Sequence, residues 1–237
     1  MPQREAADFY RTFSESATQE QWKKIGLFRR SGVVVPLFSI HSQQSIGIGE
    51  IPDLKLLMDW CLAVGMSLIQ LLPLNDTGFN FTPYDAQSSF ALDPMYLSLA
   101  VLKSTEIEPF QKKIQALRKK YPAGKPRVNY ALKGAKLELL WEIYQHESTK
   151  FPQALQRFYD ENQHWIDDYA LFQILKSKHE QSSWETWSEP FRRRDTAELE
   201  KLKTESRDIF NFRFGCSGSF TNNFSMCAAT RKKRKSL

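Results

Sequence analysis

Gly32-Val33-Val34-Val35-Pro36-Leu37-Phe38 and, further along, Ser67-Leu68-Ile69-Gln70-Leu71-Leu72 are the two stretches on which the fold turns. Each is short, apolar and rich in branched residues. Neither alternates, so both read as strands covered on both faces rather than half-exposed ones. Between them Leu54, Leu57, Met58 and Cys61 recur at the spacing of one helical face, which predicts a helix from about Ile51 to Ala63 that Gly65 stops. Pro73 ends the second strand. Strand, helix and strand in this order form a βαβ unit, and continuous apolar strands imply a parallel sheet covered by helices. A (β/α) barrel and a doubly wound sheet both satisfy the pattern.

Working outward, residues 1–30 scatter Phe9, Tyr10, Phe13 and Trp22 among charges, the pattern of surface helix. From Ser98 to about Thr204 no further strand is legible. Helical periodicities fill that span, with Leu132, Leu137, Leu140, Trp141 and Tyr144 on one broad face and Leu155, Phe158, Trp165, Tyr169, Phe172 and Leu175 on another. Such a block is too long for an ordinary connection inside a compact α/β unit. From Gly215 the text becomes rich in Ser, Asn and Gly, and it closes on Arg231-Lys232-Lys233-Arg234-Lys235.

The chain has 237 residues, 33 Lys+Arg against 27 Asp+Glu and a net charge of +6. Five of those six excess charges lie in the last seven residues, leaving residues 1–230 at +1, so no basic face for nucleic-acid phosphates is indicated. With 41% hydrophobic and 13% aromatic residues the chain can bury a sizeable core. Cys61, Cys216 and Cys227 show no CxxC spacing, which suggests neither a disulfide framework nor a zinc site and favours a reducing, cytoplasmic setting. No run approaches a membrane span, and the polar N-terminus is unlike a secretory signal. We expect no nucleic acid, membrane, metal or organic cofactor. The sequence leaves the oligomeric state open.

Gly47-Ile48-Gly49-Glu50-Ile51-Pro52 follows a strand and opens a helix, as a dinucleotide fingerprint does, but Pro52 stands where the third glycine is required. The glycines read instead as shaping a loop at the C-terminal end of the first strand. Phe81-Thr82-Pro83-Tyr84-Asp85-Ala86-Gln87-Ser88-Ser89-Phe90-Ala91 follows the second strand, on the side where parallel α/β folds build their sites. Pro83 fixes the backbone just before an aromatic ring, and a held tyrosine can carry the apolar face of a sugar. On the residues alone, a ring that merely covers its own loop is the commoner outcome. Trp141 and Trp165 sit on amphipathic faces and read as packing. Trp184 and Trp187 are better placed for exposure, though packing remains the default reading for both, and Arg192-Arg193-Arg194 reads as a solvated face.

Taken in order, Ser31-Gly-Val-Val-Val-Pro-Leu, Ile46-Gly-Ile-Gly-Glu, Ile69-Gln-Leu-Leu-Pro-Leu and Thr82-Pro-Tyr-Asp-Ala-Gln-Ser-Ser-Phe-Ala-Leu-Asp-Pro resemble the amino-terminal part of the 4-alpha-glucanotransferases, the amylomaltases of glycoside hydrolase family 77. Trp165-Ile-Asp-Asp-Tyr-Ala-Leu-Phe, Trp184-Glu-Thr-Trp and Arg192-Arg-Arg-Asp resemble that family's helical subdomain. The likeness runs over roughly residues 25–214, with mild departures such as Gly49-Glu50 for the family's Gly-Asp.

The resemblance implies an α/β fold, here an incomplete (β/α)8 TIM barrel, first strands only, with a large helical insertion. It implies transfer of α-1,4-glucan segments between maltodextrins by a retaining double displacement. It implies that Tyr84 lines the donor-sugar site and that Pro83 and Gln87 belong to the same substrate-binding loop. The nucleophile, acid/base and third carboxylate of the family come from later barrel strands, so no catalytic residue is expected in this chain, which would be inactive alone. The alternative is a non-catalytic glucan-binding or helical interaction fragment. The expected division is 1–97 for the start of the barrel, with the site loop at 75–94, then 98–205 for the helical insertion and 206–237 for a truncated or frame-shifted, disordered tail.

Overall fold

The computed structural model describes residues 10–26, 28–99, 107–147 and 153–217. Helix α1 (Gln19–Ile25) precedes β1 (Gly32–Val35), α2 (Asp53–Ala63) and β2 (Leu68–Leu71). The two strands pair in parallel, with Gly32 opposite Leu68 and Val35 opposite Leu71. A βαβ unit is therefore present where strand and helix periods predict it. Helix α2 begins two residues later than expected, with Asp53 in its first turn, where a carboxylate suits the positive end of the helix.

The strands depart from expectation in their burial. Gly32, Val34, Leu68 and Gln70 share one face, on which Val34 is 66% and Leu68 51% exposed. The opposite face, with Val33, Val35, Ile69 and Leu71, is half-buried, and Leu71 and Met58 of α2 both pack against the main core. A continuous apolar run signals a strand that could be covered on both sides. In this two-stranded sheet nothing among the described residues covers the second side.

The longer helices that follow in the described chain are α3 (Gln111–Lys120), α4 (Ala131–Glu147), α5 (Gln153–Lys178) and α6 (Thr196–Glu205), then α7 over residues 207–217. Two apolar clusters hold these elements. The larger joins Leu37, Ile46, Ile48, Ile51 and Leu54 to Met95, Leu97 and Leu99, and these to Ile114 and Leu117 of α3 and Leu132, Leu140 and Ile143 of α4. This core runs straight across residues 97 and 98, so the boundary drawn there from sequence is not a boundary in packing. The smaller cluster packs Ile166, Ala170, Ile174 and Leu175 of α5 against Trp187, Leu202, Phe210 and Phe214.

Residues 207–217 correct the expectation of a disordered tail from residue 206. Phe210, Phe212 and Phe214 are buried, and between them they contribute to both clusters. Gly215 breaks helical propensity only weakly, and the aromatic burial outweighs it. The basic cluster and Cys227 lie outside the described residues, as do residues 1–9.

Trp187 is 6% exposed, between Phe172 and His179, while Trp184 remains 53% exposed. Arg193 and Arg194 are solvent-exposed and pair with Glu189 and Asp168. Among the described residues no helix is long and apolar enough to cross a membrane.

Candidate sugar-binding loop

The chain leaves β2 after Leu71 and, past Pro73, runs through residues 74–97 before it reaches the helices. Its two ends are sewn together by backbone bonds. The Asp76 N–H donates to the Ala91 carbonyl at 2.9 Å, the Asp93 N–H to the Leu74 carbonyl at 2.8 Å, and the Gln87 N–H to the Asp76 carbonyl at 2.7 Å. Asp93 also caps the turn Pro94–Tyr96, its carboxylate accepting from the Met95 N–H at 2.9 Å.

Beneath this base lies a buried ionic cluster that periodicity alone does not reveal. The Lys133 ammonium on α4 donates to Asp76 Oδ1 at 2.7 Å, to Asp93 Oδ2 at 2.8 Å and to the Gly78 carbonyl. An ammonium has three protons, and all three are used. The Tyr169 hydroxyl on α5 donates to the other Asp76 oxygen at 2.7 Å, and the Gly78 N–H donates to Asp76 Oδ1 at 2.9 Å. One turn along α4, the buried Lys136 donates to Glu50 at 2.6 Å and to the Met95 carbonyl at 2.9 Å. Asp53 in turn accepts from Ser45 and from the Glu50 N–H, each at 2.7 Å.

The two carboxylates around Lys133 are not equivalent. Burial alone would raise the pKa of Asp76, but the Lys133 charge, with hydrogen bonds from Lys133, Tyr169 and Gly78, outweighs burial and lowers it. Burial dominates at Asp93, and the neighbouring Asp76 charge adds to it against Lys133, so its pKa rises. Burial, then the Asp76 charge, holds the Tyr169 hydroxyl well above its usual range. One cation thus serves two carboxylates whose pKa values are pushed in opposite directions, Asp76 down and Asp93 up. Asp76 and Asp93 do not form a glycosidase pair, because both are buried and saturated by groups of this chain.

The sequence-predicted residues sit on the outer part of this loop. Tyr84 is 75% exposed, in a turn closed by the Asp85 N–H on the Thr82 carbonyl at 3.0 Å and by bonds linking Asn80 to Thr82 and Asp85. Pro83 is half-buried beside it. Gln87 turns inward instead: its Oε1 accepts from Gln173 of α5 at 2.7 Å, and its amide lies where a Cβ on Gly78 would stand, 2.2 Å away. Gly78, at φ +61, is the residue type that this approach requires. Phe81 carries a rare left-handed backbone at φ +61 and stacks on Tyr130 with centroids 4.3 Å apart. A cleft of about 480 Å³ lies nearby, lined by residues that include Ser39, His41, Arg127 and Tyr130.

The structure thus brings Tyr84, Pro83 and Gln87 onto one pinned loop, with Tyr84 alone well exposed. Sequence reasoning missed Lys133 and Lys136. The signal that could have found one of them is Lys136, which stands between Leu132 and Leu140 on an otherwise apolar stripe of α4. Among the described residues no group of three His, Cys, Asp or Glu is placed to hold a metal ion.

Comparison with known proteins gives a consistent result. A family model described as 4-alpha-glucanotransferase, glycoside hydrolase 77, matches residues 35–236, past Phe214, where the sequence reading has the pattern stop. A 4-alpha-glucanotransferase of Chlamydia pneumoniae is 39% identical over 166 residues, which is 68% of this chain and 31% of that protein. One from Oryza sativa subsp. japonica is 33% identical over 219 residues, 88% of this chain and 23% of its own length. An amylomaltase from Streptococcus agalactiae, solved in complex with acarbose, shares the fold with a TM-score of 0.71 at 20% identity, over 84% of this chain and 40% of that one. The chain therefore spans between about a quarter and two fifths of the length of these relatives.

Proposed function

The chain belongs to glycoside hydrolase family 77, the 4-alpha-glucanotransferases, and on that premise we propose that it carries part of the donor-sugar site of an enzyme that moves α-1,4-glucan segments between maltodextrins. The observation that carries the reading is the loop after β2. It is anchored at its base by buried bonds, and at the C-terminal side of the sheet it presents Tyr84, the most exposed of its aromatic rings, with Phe79 and Phe90 less so. An aromatic face that is fixed in place stacks on a pyranose ring at little entropic cost, while neighbouring hydroxyls and amides bond the sugar. Pro83 and Gln87 act on the sugar through this loop by holding its shape.

The reaction of the family would be a retaining double displacement, with a carboxylate nucleophile and a second carboxyl group alternating as acid and base. We place those groups on barrel strands beyond β2. The fold is then the first part of a (β/α)8 barrel, with the open face of β1 and β2 turned to the barrel interior. The helices from residue 98 to 205 are its helical insertion, packed onto the loops at the top of the first strands. The setting we infer is cytoplasmic, in keeping with Cys61 and Cys216, which are both unpaired.

In this reading the chain binds maltodextrin without turning it over. Incubation of the purified chain with maltotriose is expected to leave the sugar unchanged. Glucose together with longer maltodextrins, formed at the rate of a full-length relative, would sink that expectation. Tyr84→Ala is expected to abolish the shifts that maltoheptaose induces in the aromatic NMR signals of the loop.

A further inference from the structure

Two helices of the helical block reach the loop, and every bond they make with it falls on one side or the other of Tyr84. Lys133 binds at Asp76, Gly78 and Asp93, Tyr169 at Asp76, Gln173 at Gln87, and Lys136 at the Met95 carbonyl. Residues 79–86, which include Pro83 and Tyr84, are the span left between these anchors. Within that span the turn is closed by its own bonds among Asn80, Thr82 and Asp85.

A buried ammonium is a poor device for adding stability, since desolvation offsets most of the attraction and apolar residues of equal volume do as well. It is a good device for fixing position. Its three protons point in set directions, and here two meet the start of one loop, at Asp76 and Gly78, and the third meets its end, at Asp93. Closing a loop at its base removes most of the freedom of the residues it encloses. The rings of Phe79 and Phe81 flank the same ammonium, with centroids 5.6 and 5.8 Å from it, which ties the first residues of the outer span to the same point.

We propose that Lys133, supported by Tyr169 and Gln173, is a positioning residue for the glucan site: it does not touch sugar, but it sets where Tyr84 stands. The proposal rests on the reading of Tyr84 as a sugar-binding residue. It gives the helical block a role in the site. A displacement of α4 or α5 moves the anchors and so moves the ring.

The test compares the full chain with Lys133→Met and Tyr169→Phe by amide hydrogen exchange and by maltoheptaose titration. For Lys133→Met, exchange at the Asp76, Gly78 and Gln87 amides is expected to accelerate at least about tenfold more than at Leu139 and Ile143 of α4. The maltoheptaose Kd is expected to rise about tenfold or more, since small misplacements of a binding group are costly. Tyr169→Phe, which removes one hydroxyl and no bulk, is expected to give the same pattern with a smaller amplitude, and it carries the comparison if Lys133→Met does not fold. Equal acceleration across loop and helices, or an unchanged loop, overturns the proposal. Loop amides that accelerate with an unchanged Kd overturn it too. If the unmodified chain gives no heat with maltoheptaose, the Tyr84 reading falls, and the exchange pattern alone then decides whether Lys133 sets the loop.

Discussion

Strands β1 and β2 and the loop that follows them are neighbours in sequence and differ sharply in how they are held. On the sheet, Val34 and Leu68 are 66% and 51% exposed, and the face they share is open. Under the loop, Lys133 and Lys136 are 2% and 1% exposed, with every nearby carboxylate bonded. Apolar side chains that could be buried are left in water, while charged side chains that could be solvated are buried. The order of this part of the molecule thus resides in the polar base of the loop and in the core shared by α2, α3 and α4, more than in the sheet that identifies the fold.

The largest test of that contrast is Lys133→Ala. It leaves two buried carboxylates without their cation, and loss of one partner of a buried pair costs about 3–5 kcal/mol. Urea unfolding followed by tryptophan fluorescence should show a correspondingly lower midpoint. A midpoint shift no larger than that of an exposed substitution would mean that the cluster is not what holds the loop, and the contrast would fail.

Gly49→Ala probes the joint between the two regions. A Cβ there would stand 1.9 Å from the Leu37 carbonyl and 2.2 Å from the Ile40 carbonyl, both backbone atoms that cannot swing away. Such overpacking costs about 1–3 kcal/mol, and a thermal melt reads it directly. Gly65→Ala meets nothing within 4 Å, but it must adopt φ +76, so it serves as a control that carries backbone strain without the clash.

These residues show how far the sequence could be read. The strand pair, α2 and the span of α4 follow from period and punctuation, and Gly47 and Gly49 were legible as loop-shaping because Pro52 excludes the phosphate-binding alternative. Tyr84 was picked out by the family resemblance, since Pro83 and its place after a strand left a ring that covers its own loop as the commoner outcome, and the structure adds that the ring is exposed. Lys133 and Lys136 were not, because their partners Asp76, Asp93 and Glu50 lie 40 to 86 positions away and no local pattern records such pairing. The inward turn of Gln87 depends on Gln173 in the same way. The burial of 207–217 was hidden because Phe210, Phe212 and Phe214 divide between two cores rather than forming one stripe.

The inequality of the two carboxylates gives a pH test within the loop base. Asp76 has a lowered pKa, so its contribution is fully present above its unfolded value of about 3.9 and is lost as pH falls below that. Asp93 has a raised pKa, so its ionisation opposes folding as pH rises from about 3.9 through the native value. Asp76→Asn should therefore cost most at neutral pH and least near pH 3. Asp93→Asn should do the reverse, with its cost shrinking as pH rises above about 4. Denaturant midpoints measured across that range check both slopes. Parallel slopes would mean that the two carboxylates share Lys133 evenly.

The smallest effect is expected on the sheet. Val34→Thr removes a methyl group and adds a hydroxyl on a face that nothing described in this chain covers, so its cost should lie within about 0.5 kcal/mol, as for other exposed positions. The same change becomes informative in a chain extended to the length of the family relatives. If the open face of β1 and β2 lines a barrel interior, the hydroxyl there is buried without a guaranteed partner, and the cost rises to about 1–3 kcal/mol. The difference between the two measurements is the signature of strands closing over Val34. Equal small costs in both chains would mean that this face stays in water even in the longer protein, and the barrel reading of the sheet would then be wrong although the loop beside it kept its shape.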